Sequence, residues 1–189
     1  MPLHPSPITI GHVGIAVADI DRSVAFYEDV LGFTLTERFE YPVDEVGHGT
    51  TVAAGAFVRC DSNHHCLSIF SYRQGVGEAA TPFTFGLHHI AFELPTPEDL
   101  LGLYRTMKDA GAEIVNARKG GPGNQPRFYA RDPDNNLLEF YWGIDQIGWD
   151  GTPRRYEPIE EIDLENYSFE EYLERRTREA AEAQAKLSA

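Results

Sequence analysis

The sequence is poor in cysteine, in positive charge and in long apolar runs, and each shortage excludes a class of protein. Its two cysteines, Cys60 and Cys66, are too few for a disulfide framework or a metal cluster and suit reduced thiols. Lys and Arg number 16 against 30 Asp and Glu, and the net charge of −14 argues against surfaces for nucleic acid or anionic membrane. No apolar run approaches the ~18 residues of a membrane span, and the first residues lack a signal pattern. We therefore expect a cytoplasmic protein that binds neither nucleic acid nor membrane.

The length and composition fit one domain, or one domain with an appendage. A chain of 189 residues buries roughly 70% of its unfolded surface, and 42% hydrophobic with 24% charged residues is ordinary for a globular protein. We predict a domain over residues 1–156 and an acidic helical tail over 157–189.

An internal repeat organises the first of these regions. A strand of small and apolar residues begins at Gly11, and an amphipathic helix follows it and ends at Gly32. The same pattern returns 77 residues later, where Tyr104 corresponds to Tyr27 and His89 to His12. At an offset of 71, FVRCDSNHHCLS corresponds to FYARDPDNNLLE, so each half ends in strands joined by an Asp-led turn.

Each half therefore reads as a βαβββ unit, over about 8–72 and 85–145. Such a unit cannot bury its apolar sheet face alone, so we predict an α+β fold in which two βαβββ repeats pair into one curved mixed sheet, with a C-terminal helical tail. The stretch 39–56 fits a short strand, a loop and the start of another strand.

The tail has ten acidic and four basic residues from 157 onward, a net charge of −6. Ser168 is the predicted N-cap of a helix, with Glu171 completing a capping box. The pattern leaves open whether this helix is a subunit-contacting arm or a solvated, partly frayed element.

Adjacent histidines occur twice at strand entrances, as His64–His65 and His88–His89. His12 and His89 occupy one repeat-equivalent position, the head of the leading strand, and in a pseudo-symmetric sheet these two heads can converge on one cavity. A lone strand histidine is more often a satisfied core residue than a ligand, but repetition at equivalent places favours a ligand pair.

Glu139 is the carboxylate that could join this pair. It lies in an apolar strand, where a carboxylate is costly unless a positive partner is present. Its counterpart in the first repeat is Ser68, a poor metal ligand. Two histidines and one carboxylate leave about three open coordination positions, as in non-haem Fe(II) oxygenases, whereas a fourth protein ligand would suit hydrolytic or isomerising chemistry.

Four segments carry a family resemblance: GHVGIAVADIDRSVAFYEDVLGF, FVRCDSNHHCLSIF, LHHIAFEL and FYARDPDNNLLEFYW. Over roughly residues 8–145 they resemble the vicinal oxygen chelate superfamily and, more narrowly, a single-domain type I extradiol ring-cleaving dioxygenase. The resemblance implies an enzyme of aromatic catabolism that opens a catechol ring beside the diol with O2, gives a hydroxymuconic semialdehyde, and forms a homo-oligomer.

The resemblance also implies residue roles. The metal, Fe(II) or Mn(II), would be held by His12, His89 and Glu139. His65 would be the acid/base residue, and Tyr129 would contact a substrate oxygen. We expect Phe57, Phe128 and the segment 142–156 to shape the mouth of the cavity. One departure is Gly120, which stands where the family often has a histidine.

Strand alternation and the resemblance disagree about the first histidine pair. His65 lies three residues before Ser68, so strict alternation would place it on the face opposite that of Ser68. The resemblance favours His65 over His64, and a turn led by Asn63 can break the alternation, so His65 remains our candidate. The same fold also serves metal-dependent glyoxalase-like isomerases, epimerases and thiol transferases, and proteins that sequester antibiotics without a metal.

Overall fold

The computed structural model describes residues 10–40, 52–72, 87–121, 123–144 and 157–187, which form nine strands and three helices. In chain order they are β1 (Val13–Val17), α1 (Ile20–Ala25, continued as a π-helix over Phe26–Val30), β2 (Thr34–Glu40), β3 (Val52–Arg59), β4 (Leu67–Tyr72), β5 (Ile90–Glu93), α2 (Pro97–Asp109), β6 (Ile114–Gly121), β7 (Arg127–Arg131), β8 (Leu137–Tyr141), β9 (Glu157–Glu161) and α3 (Phe169–Leu187). Most of the predicted stretches 39–56 and 142–156 lies outside the described residues.

The described strands form two sheets, in the orders β1-β4-β3-β2 and β5-β8-β7-β6-β9. In the first sheet β1 is parallel to β4, while β3 pairs antiparallel with both β2 and β4. The same order recurs in the second sheet, which confirms the predicted repeat and the α+β class. We predicted one sheet formed by both repeats. Among the described residues each repeat instead forms a sheet of its own, because its four strands pair with one another.

The chain divides into two compact units. The first comprises residues 1–90, 106–114 and 130–138, and the second comprises 91–105, 115–129 and 139–189. The first unit buries β1, β3, β4 and α1 against one another, with Tyr27, Val58 and Ile69 fully enclosed. In the second unit Phe128 is stacked on Phe140, with ring centroids 5.1 Å apart.

Local side chains define where the helices begin and end. Asp19 accepts hydrogen bonds from the backbone N–H groups of Asp21 and Arg22, which caps α1. After the π-helical turn, Gly32 adopts φ +70°, which a glycine accommodates without strain. Thr96 caps α2 by accepting from the N–H of Asp99 at 3.1 Å. The first helix therefore follows β1 and ends at Gly32, as predicted from the sequence.

The predicted tail contains a strand as well as a helix. β9 pairs antiparallel with β6, and α3 begins after Ser168, whose Oγ accepts from the N–H of Glu171 at 3.2 Å. The first turns of α3 pack within the second unit, since Tyr172 is only 4% exposed. Among the described residues, the helices are too short or too polar to cross a membrane.

Candidate functional site

Three of the predicted site residues form an aromatic row in the first unit. The rings of His12 and His65 are 4.5 Å apart, and the ring of His65 is 4.9 Å from that of Phe57. His12 lies directly before β1, which is hydrogen-bonded to β4, and His65 lies two residues before β4. The chain therefore brings the candidate acid/base residue into contact with one candidate metal ligand and one candidate substrate-binding ring.

His64 and His65 have different surroundings, although they are neighbours in the sequence. The Nε2 atom of His64 is 3.3 Å from Glu37, and its side chain is half exposed. The Nδ1 atoms of the two imidazoles are 2.9 Å apart. The Nε2 atom of His65 is buried and has no hydrogen-bond partner among the described residues. Burial, followed by the charges of His12 and His64, lowers the pKa of His65 below its usual value, which favours the neutral base.

The conflict between alternation and resemblance has a structural explanation. β4 begins at Leu67, so His65 lies in the preceding turn and not in the strand. Alternation therefore does not extend back to His65 and does not decide which histidine faces inward. Asp61 forms that turn by accepting from the N–H of Asn63 at 2.8 Å.

Glu139 is the centre of a buried polar cluster in the second unit. The hydroxyl of Tyr129 donates to Glu139 Oε2 at 2.8 Å, and Nε2 of Gln125 lies 3.5 Å from Oε1. Arg127 Nε is 3.7 Å from Oε1 and 3.1 Å from the Tyr129 oxygen. Glu139 and Arg127 are each 5% exposed. The positive partner that a carboxylate in an apolar strand requires is therefore Arg127.

Alternation along β7 separates the residues of this cluster from the core. Arg127 and Tyr129 reach Glu139, whereas Phe128 between them is fully buried against Tyr104 and Phe140. The expectation that Phe128 shapes a cavity mouth is therefore wrong, because Phe128 points to the apolar face of its strand. Burial, followed by the hydrogen bond to Glu139, raises the pKa of Tyr129, so its hydroxyl stays protonated and can donate.

Sequence reasoning missed Arg127 and Gln125. Arg127 precedes Tyr129 by two residues on β7, which is the spacing of one strand face, whereas Gln125 lies before the strand. Once Tyr129 had been assigned to a site, that periodicity could have added Arg127 to it, but not Gln125. Their side chains are almost entirely buried, at 5% exposure each.

The remaining candidate residues lie at repeat-equivalent places. His89 directly precedes β5, as His12 precedes β1, and its Nδ1 is 2.7 Å from that of His88. Ser68 lies on β4 opposite Gly14 of β1 and is 2% exposed. Its hydroxyl has no hydrogen-bond partner among the described residues. Ser68 on β4 and Glu139 on β8 thus lie on strands that have the same position in the two sheet orders.

The three candidate ligands are divided between the units, with His12 and His89 in the first and Glu139 in the second. Among the described residues, no three His, Cys, Asp or Glu side chains form a group that could hold a metal ion. The donor types nevertheless fit a divalent metal, because two imidazoles and one carboxylate are the set that Fe(II) and Mn(II) accept. The hydrogen bonds on Glu139 would orient that carboxylate as a ligand.

Comparison with known proteins identifies the family. Residues 9–140 match the model of the glyoxalase/bleomycin resistance protein/dioxygenase superfamily, and the chain belongs to it. A domain of that description from Frankia sp. EAN1pec has the same fold, with a TM-score of 0.59 at 24% identity over 73% of this chain and 99% of the other.

Two curated relatives differ in activity. One is 3-methylcatechol 2,3-dioxygenase from Pseudomonas putida, 25% identical over 79% of this chain and 47% of the relative. The other is glutathione transferase FosA from Serratia marcescens, 30% identical over 71% of this chain and 81% of the relative. The chain thus spans about half the length of the dioxygenase and most of the transferase. Membership of the superfamily is established, while the reaction is a matter of proposal.

Proposed function

We propose that this chain is an Fe(II)-dependent extradiol dioxygenase, with Mn(II) as the alternative metal. Its substrates would be a catechol and O2, and its product a 2-hydroxymuconic semialdehyde-type compound. His12, His89 and Glu139 would hold the metal, and His65, Tyr129 and Phe57 would contact the substrate. The reaction would take place in the cytoplasm, in a homo-oligomer of this chain.

One observation carries the proposal. The buried Nε2 of His65 has no partner among the described residues, yet the His65 ring contacts the ring of His12 in a tilted arrangement and that of Phe57 edge to face. An unpaired buried polar atom costs free energy, so its retention is best explained by a ligand atom that pairs with it. A catechol hydroxyl is such an atom, and the Phe57 ring supplies an apolar surface for an aromatic substrate.

The protein groups would then have distinct tasks. A bound Fe(II) would supply a Lewis acid and open coordination positions for both reactants. His65 would accept the catechol hydroxyl proton at Nε2 and return it later, since an imidazole can both accept and donate a proton. Tyr129 would keep its hydroxyl proton and donate it to an oxygen, while Arg127 holds the phenol in place. In the structure the Tyr129 hydroxyl donates to Glu139, so it would have to share this hydrogen bond with the substrate or donate to the substrate instead.

The rival proposal is a metal-dependent isomerase or thiol transferase of the same superfamily, or a protein that sequesters a small molecule without a metal. The high coverage of FosA favours a transferase. An isomerase with four protein ligands would need a ligand at the position of Ser68, whose hydroxyl is a weak donor, and sequestration would not need the set His12, His89 and Glu139. These features favour the dioxygenase over an isomerase and over sequestration, and the assays below separate it from a transferase.

The test is an anaerobic Fe(II) reconstitution followed by catechol, 3-methylcatechol or 2,3-dihydroxybiphenyl in air-saturated buffer. We expect a yellow ring-fission product and O2 uptake in equal amounts, with kcat/KM values that rank the three catechols. Parallel assays would combine glutathione with fosfomycin and with methylglyoxal. Product in either parallel assay, without ring fission of any catechol, would replace the dioxygenase proposal with the rival one.

A further inference from the structure

Gly120 stands where the resemblance places a histidine, and the structure gives a physical reason for the glycine. Its φ is +78°, in the left-handed region that side chains disfavour. A Cβ at this position would lie 2.1 Å from the carbonyl oxygen of Pro158, a distance at which one of the two must move. The backbone of β9 therefore occupies the space that a side chain at position 120 would need.

β9 reaches this position through its pairing with β6. Arg118 is opposite Glu161 and Lys119 opposite Glu160, with an ion pair of 3.0 Å between the last two. The register shifts between Lys119 and Gly121, so Gly120 lies at an irregularity where the two backbones approach closely. A Cβ on Gly121 would likewise meet the side chain of Ile159, at 2.9 Å.

Contacts with α3 and with the turn after β6 hold the start of β9. Arg175 pairs with the Glu157 carboxylate at 2.9 Å, and the Glu157 N–H donates to Asn124 Oδ1 at 3.1 Å. The hydroxyl of Tyr172 lies 3.4 Å from the carbonyl oxygen of Asn124. These contacts therefore hold β9, α3 and the turn after β6 together.

Three hydrogen bonds connect Gly120 to Glu139. The Gly120 carbonyl accepts from Arg127 Nη1 at 2.8 Å. Arg127 Nε bonds the Tyr129 oxygen at 3.1 Å, and that hydroxyl donates to Glu139 at 2.8 Å. A guanidinium is a rigid planar fork, so the position of the carbonyl constrains the direction of Nε.

We propose that β9 is a positioning element for Glu139. Its backbone fixes the Gly120 carbonyl, this carbonyl holds Arg127, and Arg127 orients the Tyr129 hydroxyl that bonds the carboxylate. The glycine at position 120 is the requirement for this arrangement. The consequence for metal affinity rests on the proposed function, whereas the consequence for Tyr129 does not.

The decisive variant is Gly120→Ala, with Gly111→Ala as its matched control. Gly111 has φ +74° but no atom within 4 Å of a Cβ, so its variant has the same backbone strain without the collision. In Gly120→Ala we expect amide exchange over 157–161 to accelerate by about tenfold or more. The ¹³Cζ resonance of Tyr129 at one fixed pH, assigned by its loss in Tyr129→Phe, should move. Mn(II) affinity, measured by calorimetry, should fall by about 10- to 100-fold. Gly111→Ala should change none of the three.

The outcomes separate the proposals. Unchanged exchange over 157–161, or faster exchange with an unmoved Tyr129 resonance, would overturn the positioning role. If the parent protein binds neither Fe(II) nor Mn(II) but the Tyr129 resonance moves in Gly120→Ala, the positioning role stands and the proposed function fails. Should Gly120→Ala not fold, Glu157→Ala removes the carboxylate that pairs with Arg175 and should change exchange and resonance in the same sense by a smaller amount. No change in either would also overturn the role.

Discussion

At the scale of single residues, the bond between Tyr27 and Asp132 is a clear test of burial energetics. Tyr27 is fully buried and donates to Asp132 Oδ2 at 3.0 Å. Burial raises the pKa of Asp132, and the Tyr27 hydrogen bond is among the contacts that lower it. Tyr27→Phe should cost about 1.5–3 kcal/mol of unfolding free energy at pH 7, the range for a hydrogen bond to a charged group.

The pH dependence of that loss follows from the same contacts. Because the Tyr27 bond favours the ionised carboxylate, its contribution is present above the pKa of Asp132 and declines as pH falls through it. Denaturant titrations of Tyr27→Phe should therefore show a smaller loss at pH 3 than at pH 7, and a smaller loss again in an Asp132→Asn background. A loss that is equal at both pH values would mean that the hydroxyl stabilises the fold independently of the charge on Asp132.

The two histidines before β4 allow a prediction about turnover. His65 has the buried Nε2, and His64 is half exposed beside Glu37. Under the proposed function, His65→Asn should keep metal and catechol binding but reduce stopped-flow turnover by ~10² or more. His64→Asn should change turnover far less. The reverse pattern would assign the proton to His64, as strict alternation had suggested.

Ser68 allows a prediction in which neither stability nor metal content should fall. Its buried hydroxyl has no hydrogen-bond partner among the described residues, so Ser68→Ala removes a polar group without breaking a bond. We expect thermal unfolding to show equal or greater stability, and metal content to be unchanged. Loss of metal in this variant would make Ser68 a fourth ligand and favour the isomerase or transferase proposal.

At the scale of elements, the helices were predictable because their ends depend on neighbouring residues. Asp19, Thr96 and Ser168 each cap a helix through a bond to an N–H two or three residues ahead. β9 was not predictable, because Glu157–Glu161 has no alternating apolar pattern and is a strand only through its pairing with β6. The expectation that Phe128 shapes the cavity mouth was wrong because its side chain faces the apolar core, opposite to those of Arg127 and Tyr129 on the same strand.

The cap of α3 can be tested at this scale. Ser168→Ala should lower the stability of α3 by about 1 kcal/mol, because the N–H of Glu171 loses its acceptor. Hydrogen exchange over the first turn should accelerate, while Ser168→Asp, which retains an acceptor and adds negative charge at the helix N-terminus, should not accelerate it. Equal exchange in all three proteins would mean that the packing of Tyr172 alone holds this turn.

At the scale of the whole molecule, the internal repeat made the fold predictable, whereas the metal site remains a prediction. Repeat-equivalent residues could be paired from the sequence, and the recurring strand order bears this out. Of the missed partners of Glu139, Arg127 could have been found from its spacing to Tyr129 on β7, whereas Gln125 lies before that strand and could not. The family match extends over most of both repeats and ends before β9, so the C-terminal segment lies beyond the part of the chain that the family model describes.

The last prediction concerns the ligand set as a whole. Under the proposed function, His12→Ala, His89→Ala and Glu139→Ala should each lose stoichiometric iron by elemental analysis, because a site of three protein ligands loses a third of them in each variant. His88→Ala and Ser68→Ala are matched controls at neighbouring and repeat-equivalent positions, and they should retain it. Circular dichroism should show that all five variants keep the fold, although Glu139→Ala also leaves Arg127 without its buried carboxylate and should be the least stable. Full iron content in any of the first three would remove that residue from the ligand set, and full content in all three would leave the chain a superfamily member without this metal site.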